Sequence, residues 1–251
     1  MNGTVHVAES VLPGHPDRLA DAMAEKIVDA AVRIRPDSLV GVEVAVHRKS
    51  VYVTGRIGIA GPPLNERPDL LKLAYEAYDE AGYKGFWQIT PEIRHDLDWK
   101  PVLGDERKIR CISDDQNIVV GHASGSAATG WLPAAAFAAR KMRDALGRIR
   151  RRNFVKLGPD GKVLVRFVEQ EGRYYWQSCN VAVMHAEGMQ FEELYRIVLP
   201  GLKETARELD QALPGLAESW AIDKVRLNGA GDFSCGGPHG DNGLSGKKLV
   251  V

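Results

Sequence analysis

A glycine-rich run near the end of the chain, Gly236 to Lys248, constrains the fold more than any other part of the sequence. The run reads GGPHGDNGLSGKK and joins five glycines and one proline to two adjacent lysines. Glycines let a backbone approach a ligand closely, and backbone amides beside cationic side chains form sites for anions. The composition therefore predicts a phosphate-binding loop. Its spacing differs from the Walker loop and from the dinucleotide fingerprint.

A second run, Glu9 to Arg18, combines several reactive side chains at the start of a helix. It reads ESVLPGHPDR and places His15 and Asp17 on either side of Pro16, a residue suited to the first helical position. Apolar residues follow at helical spacing. Asp17 in the first turn suits the helix dipole, and its carboxylate is also a type of metal ligand. A simple helix cap with a solvated histidine is the other interpretation of this run.

Three further motifs complete a recognisable pattern. They are SDDQNIVVGHA at residues 113–123, PDGK at residues 159–162, and Asp232-Phe233 just before the glycine run. Taken together, the five motifs resemble the S-adenosylmethionine synthetase (methionine adenosyltransferase) family of bacterial type. They follow the family's order at nearly its spacing, and the resemblance covers most of residues 5–251.

The resemblance implies an α+β fold, built from sheet-plus-helix units arranged around a pseudo-threefold axis. The residue patterns agree, since strands are predicted at 39–46 and 51–59 and a helix at 69–81. The same order recurs as strands at 163–169 and 180–185 and a helix at 191–212, interrupted or kinked at Pro200. Between these units we expect an irregular span over 88–110 and a helix over 133–149.

The expected domains are an N-terminal sheet-plus-helix unit over residues 1–120 and a central unit over 121–251 that ends in the glycine run. Family members continue well past this run into a C-terminal unit, so the C-terminal third of the family sequence and the last repeat are expected to be absent. The chain stops at Leu249-Val250-Val251, which resembles the middle of a strand. Either the sequence is a fragment or another polypeptide completes the unit.

The overall charge argues against two classes of partner. Lysines and arginines balance aspartates and glutamates at 33 each, so bulk electrostatics favour neither nucleic acid nor a membrane surface. The basic end of the predicted helix, Arg148 to Arg152, leaves a nucleic-acid site conceivable. Basic residues at a helix C-terminus also complement its dipole, and this interpretation is preferred. The chain shows no signal peptide and no long apolar run, and a cytoplasmic location is expected.

The resemblance implies a reaction in which the sulfur of methionine attacks C5′ of ATP and expels the triphosphate, which is hydrolysed to phosphate and pyrophosphate. Mg²⁺ and K⁺ are the implied cofactors. His15 would donate a hydrogen bond to the leaving group. The other residues implied as catalytic are Lys162 and Lys248, and those implied to contact ATP or methionine are Asp115, Asp160, Phe233, Asp241 and Lys247.

The metal ligands implied by the resemblance are carboxylates. Asp17 would hold Mg²⁺, while Glu43 and, less directly, Glu9 match the acids on the potassium side. An ordinary cap or surface ion pair is the alternative for Glu9, Glu43 and Asp160.

The chain also departs from the family pattern. Arg56 stands where the family has a glutamate that receives the ammonium of methionine, and an arginine there inverts the charge. The family's methionine-contacting glutamine is absent around Asp98 to Pro101. Lys247 replaces a family arginine, and Asp232 replaces a basic residue.

These departures predict a split enzyme, in which this chain supplies the ATP face of a shared site. A second S-adenosylmethionine synthetase-like subunit would then supply the missing side. A non-catalytic regulatory or structural subunit of such a complex is the alternative. An unrelated ATP-binding module would have to match all five motifs by accident.

Overall fold

The computed structural model describes residues 3–58, 67–87, 89–109, 118–124 and 126–248, apart from the side chain of residue 107. The described chain divides into two compact units. One comprises Met1–Leu12 and Val120–Gly236, and the other comprises Pro13–Val119 and Gly237–Val251. The division between residues 119 and 120 lies one residue from the predicted domain boundary. Residues 1–12, however, group with the central part of the chain, and residues 237–251 group with the N-terminal part. Strand pairing is the reason for both exchanges.

The first unit is a four-stranded sheet packed against two long helices. Its strands are β1 (Thr4–Val11), β5 (Leu157–Gln170), β6 (Arg173–His185) and β7 (Val225–Leu227), in the spatial order β1-β5-β6-β7. Its helices are α4 (Ala134–Arg152), α5 (Phe191–Leu209) and the short α6 (Leu216–Ser219). Single 3₁₀ turns occur at Ala127–Thr129 and Ile222–Lys224.

Alternation along β5 explains how this unit buries its core. Val163, Val165 and Phe167 are fully buried and pack with Met142 and Leu146 of α4. Both β5 and β6 are longer than their predicted strands. β5 begins before the PDGK motif, and β6 begins at Arg173 rather than at residue 180. An irregularity between Leu157 and Gly161 admits the proline into the strand.

Helix α5 corrects the prediction at Pro200. The helix is continuous from Phe191 to Leu209 with Pro200 inside it, so the predicted interruption is wrong, while the alternative of a kink stays a prediction. The helix ends before the predicted residue 212. Buried Val198 and Leu202 on either side of the proline hold this stretch against the core. Tertiary packing therefore outweighs the lost backbone hydrogen bond.

The second unit is another four-stranded sheet with helices on one face. Its strands are β2 (Leu39–His47), β3 (Ser50–Gly58), β4 (Glu92–Asp98) and β8 (Gly243–Leu244), in the order β4-β3-β2-β8. Its helices are α1 (Pro16–Ile34), α2 (Leu70–Ala81), α3 (Gly104–Ile109) and the single turn α7 (Gly237–Gly240). Val44, Val46, Val51 and Val53 form the buried face, which packs with Leu19 and Met23 of α1 and Tyr78 of α2.

The predicted irregular span over 88–110 is wrong in part, because it contains β4 and α3. β4 pairs in parallel with β3, from Ser50 opposite Glu92 to Arg56 opposite Asp98. Its sequence, EIRHDLD, is polar and lacks the β-branched alternation of the other strands, so pairing with β3 decides its conformation. Among the described residues, none of the helices combines the length and apolar character needed to cross a membrane.

Candidate active site

The first turn of α1 presents His15 and Asp17 as the sequence predicted. His15 is the N-cap, and its Nδ1 accepts a hydrogen bond of 3.2 Å from the backbone N–H of Asp17. Because Nδ1 accepts, the neutral ring carries its proton on Nε2. The predicted cap is present, and the histidine side chain is largely buried, with 16% of it exposed. The arrangement leaves His15 with a single defined donor nitrogen.

The glycine run binds back onto this helix start. The N–H of Leu244 donates to Oδ1 of Asp17 at 3.1 Å, and the N–H of Gly246 donates to Oδ1 of Asp21 at 2.8 Å. These hydrogen bonds join residues that are 227 and 225 positions apart in the chain. Two of the sequence motifs therefore form one local structure within the second unit.

Strand β2 holds the other side of the glycine run. β8 pairs with β2 through Ala45 opposite Leu244 and Val46 opposite Gly243. Ser245 then exchanges hydrogen bonds with the backbone of Val44, and its hydroxyl donates to Oε2 of Glu43 at 2.7 Å. The acid assigned to the potassium side is thus a neighbour of the phosphate-loop candidate.

Two glycines of the run are required by close approach. A Cβ on Gly243 would overlap the carbonyl group of Pro16, and a Cβ on Gly237 would overlap the hydroxyl of Tyr83. Gly237 also has a positive φ of 57°. Tyr83 is buried, and its hydroxyl donates to the carbonyl of Gly14 at 2.6 Å. The same tyrosine therefore contacts both motifs.

We expect Gly243→Ala to destabilise the second unit by about 1–3 kcal/mol, because the backbone of Pro16 has little room to move. The matched control is Gly121→Ala, since a Cβ there meets nothing within 4 Å. Thermal unfolding with near-ultraviolet circular dichroism compares the two variants. Equal stability of both would contradict the close packing of the glycine run on α1.

Both lysines of the glycine run lie close to the buried carboxylate of Asp17. Asp17 is 3% exposed. Nζ of Lys248 lies 3.4 Å from its Oδ2, Nζ of Lys247 lies 3.9 Å from its Oδ1, and Nδ1 of His15 lies 3.9 Å from its Oδ2. Two ammonium groups thus face one carboxylate, with Arg18 paired to Asp21 beside them. The two lysines are the cations of the run that suit the oxygens of a polyphosphate.

The histidine of the glycine run does not add to that charge. Burial, with smaller contributions from Arg48 and His47, lowers the pKa of His239. Its ring packs edge-on against Trp87 at 4.4 Å between centroids. The imidazole is therefore mainly neutral near pH 7, and the cations of the run are its two lysines.

Asp241 lies on the exposed side of the same run. Its N–H donates to the carbonyl of Gly237 at 3.1 Å, and its Oδ1 accepts from the N–H of Asn242 at 2.8 Å. These bonds close the turn between α7 and β8. Its role toward the substrates stays a prediction.

The first unit holds a separate group of the predicted residues. Nζ of Lys162 lies 3.4 Å from Oε2 of Glu9, across the β1–β5 pairing. Asp160 lies two residues before Lys162 on β5 and is 6% exposed. Phe233 lies in this unit as well, beyond β7. Asp115 lies outside the described residues, so its role also stays a prediction.

Arg56 is compensated by a residue that the sequence did not single out. Its guanidinium forms a two-pronged ion pair with Glu106 of α3, using Nη1 and Nη2. The side chains are 20% and 21% exposed. Charge inversion at this position is therefore accompanied by an acid from the same unit.

Other contributors escaped the sequence analysis. Asp21 stands one helical turn after Asp17, and that spacing could have indicated it. Ser245 and Tyr83 gave no signal, because each acts through contacts between segments distant in sequence.

The fit of metal ions can be judged from the oxygen ligands. Among the described residues, no group of three or more His, Cys, Asp or Glu is placed to hold a metal. Mg²⁺ is commonly held by one or two carboxylates together with substrate phosphates, so Asp17 fits it. Glu43 offers a carboxylate oxygen beside the hydroxyl of Ser245, which suits K⁺. Glu9 and Asp17 each have a lysine ammonium at 3.4 Å, so a cation at either carboxylate requires that lysine to turn away.

Comparisons with known proteins agree with this structure. A sequence model described as "S-adenosylmethionine synthetase, N-terminal domain" matches residues 3–96. Proteins named S-adenosylmethionine synthase from Aquifex aeolicus and Chlorobium phaeobacteroides are 29% and 28% identical over 98% and 97% of this chain. S-adenosylmethionine synthase 1 of Rhodospirillum rubrum is 30% identical over 97% of the chain.

A solved structure gives the same fold. It is described as an unusual S-adenosylmethionine synthetase from Campylobacter jejuni, with a TM-score of 0.79 at 24% identity over 98% of this chain and 64% of that one. The predicted α+β fold is thereby confirmed. The chain belongs to the S-adenosylmethionine synthetase family, as its motifs indicated. It spans 63% of the length of the Chlorobium and Rhodospirillum relatives.

Proposed function

We propose that this chain is a methionine adenosyltransferase subunit that forms S-adenosylmethionine, phosphate and pyrophosphate from ATP and L-methionine. The observation that carries the proposal is the cluster of His15, Asp17, Lys247 and Lys248, brought together by the packing of the glycine run on α1. Its members are the residues that the family resemblance assigned to the triphosphate side of ATP.

The chemistry asks for charge stabilisation rather than for a strong base. The thioether sulfur forms the new bond to C5′ as the bond from C5′ to the triphosphate oxygen breaks, and the electron pair leaves with the triphosphate. Lys247 and Lys248 would bind the non-bridging oxygens, and Nε2–H of His15 would donate toward the departing oxygen. Aligning sulfur, carbon and oxygen supplies the rest of the rate.

The present pairing of Asp17 is compatible with this role. Its ion pairs with the lysines hold their ammonium groups at the loop before ligand arrives. A magnesium ion supplies further neutralisation of phosphate charge, and Asp17 would hold it while the lysines turn to the phosphates. The roles of Lys162, Asp160 and Phe233 toward ATP rest on the family resemblance.

A partner subunit is part of the proposal. The family resemblance expects a glutamate at position 56 to receive the substrate ammonium. This chain has Arg56 there, paired with Glu106. A neutral pair does not attract an ammonium as a lone carboxylate does. A second family-like chain would supply the methionine-side glutamate and glutamine.

The same ion pair favours a second candidate, a regulatory or structural subunit without turnover. Retention of His15, Asp17 and both lysines supports the catalytic proposal over this one. ATP binding alone would be common to both, so turnover in the assembled protein decides between them.

The expected result for the isolated chain is binding of MgATP without formation of S-adenosylmethionine. The chain alone and the chain co-purified from its own host are each incubated with ATP, methionine, Mg²⁺ and K⁺, and product is measured by mass spectrometry. Turnover only in the co-purified form supports the shared site. Turnover by the isolated chain would contradict partner dependence, and turnover in neither form would contradict the enzyme proposal.

A further inference from the structure

A loop following β7 is tied to strand β6 by a buried asparagine. Asn228 is 5% exposed and has a positive φ of 47°. Its Oδ1 accepts from the N–H of Val183 at 2.8 Å, and its Nδ2 donates to the carbonyl of Val183 at 3.0 Å. The N–H of Gly231 then donates to the carbonyl of Asn228 at 2.9 Å. This end of the loop has a fixed conformation.

The other end of the loop is held by His185, the last residue of β6. The N–H of His185 donates to the carbonyl of Phe233 at 3.2 Å, and the N–H of Phe233 donates to Nε2 of the imidazole at 3.2 Å. His185 is 2% exposed. One buried residue therefore satisfies both backbone groups of Phe233.

The hydrogen bonds of His185 define its tautomer. Nδ1 lies 3.0 Å from the carbonyl oxygen of Ala186, which can only accept. Nδ1 therefore carries the proton, and Nε2 is an acceptor. A proton on Nε2 would place two donors face to face and remove the bond to Phe233.

The carboxylate of Asp232 lies near this bond but forms its hydrogen bonds elsewhere. Oδ1 of Asp232 lies 3.6 Å from Nε2, too far for a hydrogen bond, and the carboxylate accepts instead from the N–H and hydroxyl of Ser234. Those bonds, led by the one from the hydroxyl, lower the pKa of Asp232. Asp232 therefore stays ionised, and its carboxylate accepts hydrogen bonds from Ser234 in the same turn.

The phenyl ring of Phe233 is also confined. A Cβ on Gly236 would lie 3.0 Å from Cε2 of Phe233 and 3.0 Å from the sulfur of Met184. The ring thus has Gly236 beside it, at a place where a larger residue would crowd it. Phe233 as a whole residue is intermediate in burial.

We propose that His185 is a positioning residue for the base of ATP: its unprotonated Nε2 holds the backbone of Phe233 so that the phenyl ring can pack on adenine. The inference rests on the proposed function, in which Phe233 contacts adenine. His185 itself does not touch the substrate. It acts by fixing the backbone from which the ring projects.

Two amide substitutions at His185 test the roles of its two ring nitrogens separately. The amide of glutamine reaches the position of Nε2, whereas that of asparagine reaches only Nδ1. We expect His185→Asn to raise the exchange rate of the Phe233 amide about tenfold or more and to weaken MgATP binding about fivefold, the loss of about one hydrogen bond. His185→Gln should stay within about twofold of the native protein on both measures. Hydrogen exchange and calorimetric titration give the two readouts.

The outcomes separate the inference from the function beneath it. Phe233→Ala with unchanged MgATP affinity would overturn the adenine contact, while exchange data could still support the tether. Weakened binding in Phe233→Ala but native exchange and affinity in His185→Asn would overturn the role of His185. Nitrogen NMR of the native protein needs no variant: an unprotonated Nε2 at His185 is expected, and a protonated Nε2 would overturn the inference.

Discussion

Lys248→Ala is expected to lower turnover of the assembled protein by about a hundredfold or more, because it removes stabilisation of charge that develops on the leaving triphosphate. Lys248 is the more buried lysine of the pair, with Nζ 3.4 Å from Asp17 and a side chain 25% exposed, against 51% for Lys247. The loss should fall on kcat as well as on kcat/KM for ATP, since the interaction strengthens as the bond to C5′ breaks.

The control for this experiment is Lys84→Ala, which removes one positive charge from a side chain that is 80% exposed and paired with Asp79. Its turnover should match that of the native protein. Equal loss in both variants, or near-native turnover in Lys248→Ala, would show that the triphosphate binds elsewhere.

His15 offers a second arm of the same test. His15→Asn retains a cap acceptor for the N–H of Asp17 but lacks a donor at the position of Nε2. A fold of native stability together with a loss of about a hundredfold in turnover would assign the loss to the missing donor rather than to the helix.

Arg56→Glu is the second change with a large expected effect, and the effect is on structure. It would set a new carboxylate against Glu106, and like charges at a largely buried position repel. We expect unfolding free energy to fall by about 1–3 kcal/mol and the amides of α3 to lose exchange protection. Turnover of the assembled protein should stay nearly unchanged, since this position does not receive methionine in the proposed site.

A charge swap provides the matched control. The double variant Arg56→Glu/Glu106→Arg restores the pair in reversed order, and its stability should recover most of the loss. A collapse of turnover in Arg56→Glu that the swap does not rescue, with stability intact, would show that Arg56 itself binds or acts on a substrate.

Local patterns predicted much of what positions the site. Pro16 and the apolar spacing behind it gave the start of α1, and alternation gave β2 and β3 with their turn at Arg48. These elements follow from residues close together in the chain, so the sequence contains the necessary information.

Other features depend on contacts between distant segments. β4 forms because it pairs with β3, and its polar sequence alone gave no sign of it. The ion pair between Arg56 and Glu106 joins residues that are 50 positions apart, so the sequence showed the inverted charge but not its compensation. Likewise Tyr83 is indistinguishable from any buried tyrosine until Gly14 and Gly237 are seen on either side of it.

The candidate site divides along the same line. The family resemblance named His15, Asp17, Lys247 and Lys248, and their packing around one buried carboxylate required the structure. The individual roles of these residues remain predictions. So do those of Asp160, Lys162, Phe233 and Asp241.

The central claim is that the glycine run and the start of α1 form the triphosphate-binding part of the site. Its most direct measurement is calorimetric titration of magnesium tripolyphosphate into the chain and into two double variants of equal charge. Lys84→Ala/Lys100→Ala removes lysines that are 80% and 70% exposed, and its affinity should equal that of the native chain. Lys247→Ala/Lys248→Ala should bind at least about a hundredfold more weakly, the loss of two charge-assisted contacts. Equal affinities for the two double variants would contradict the claim.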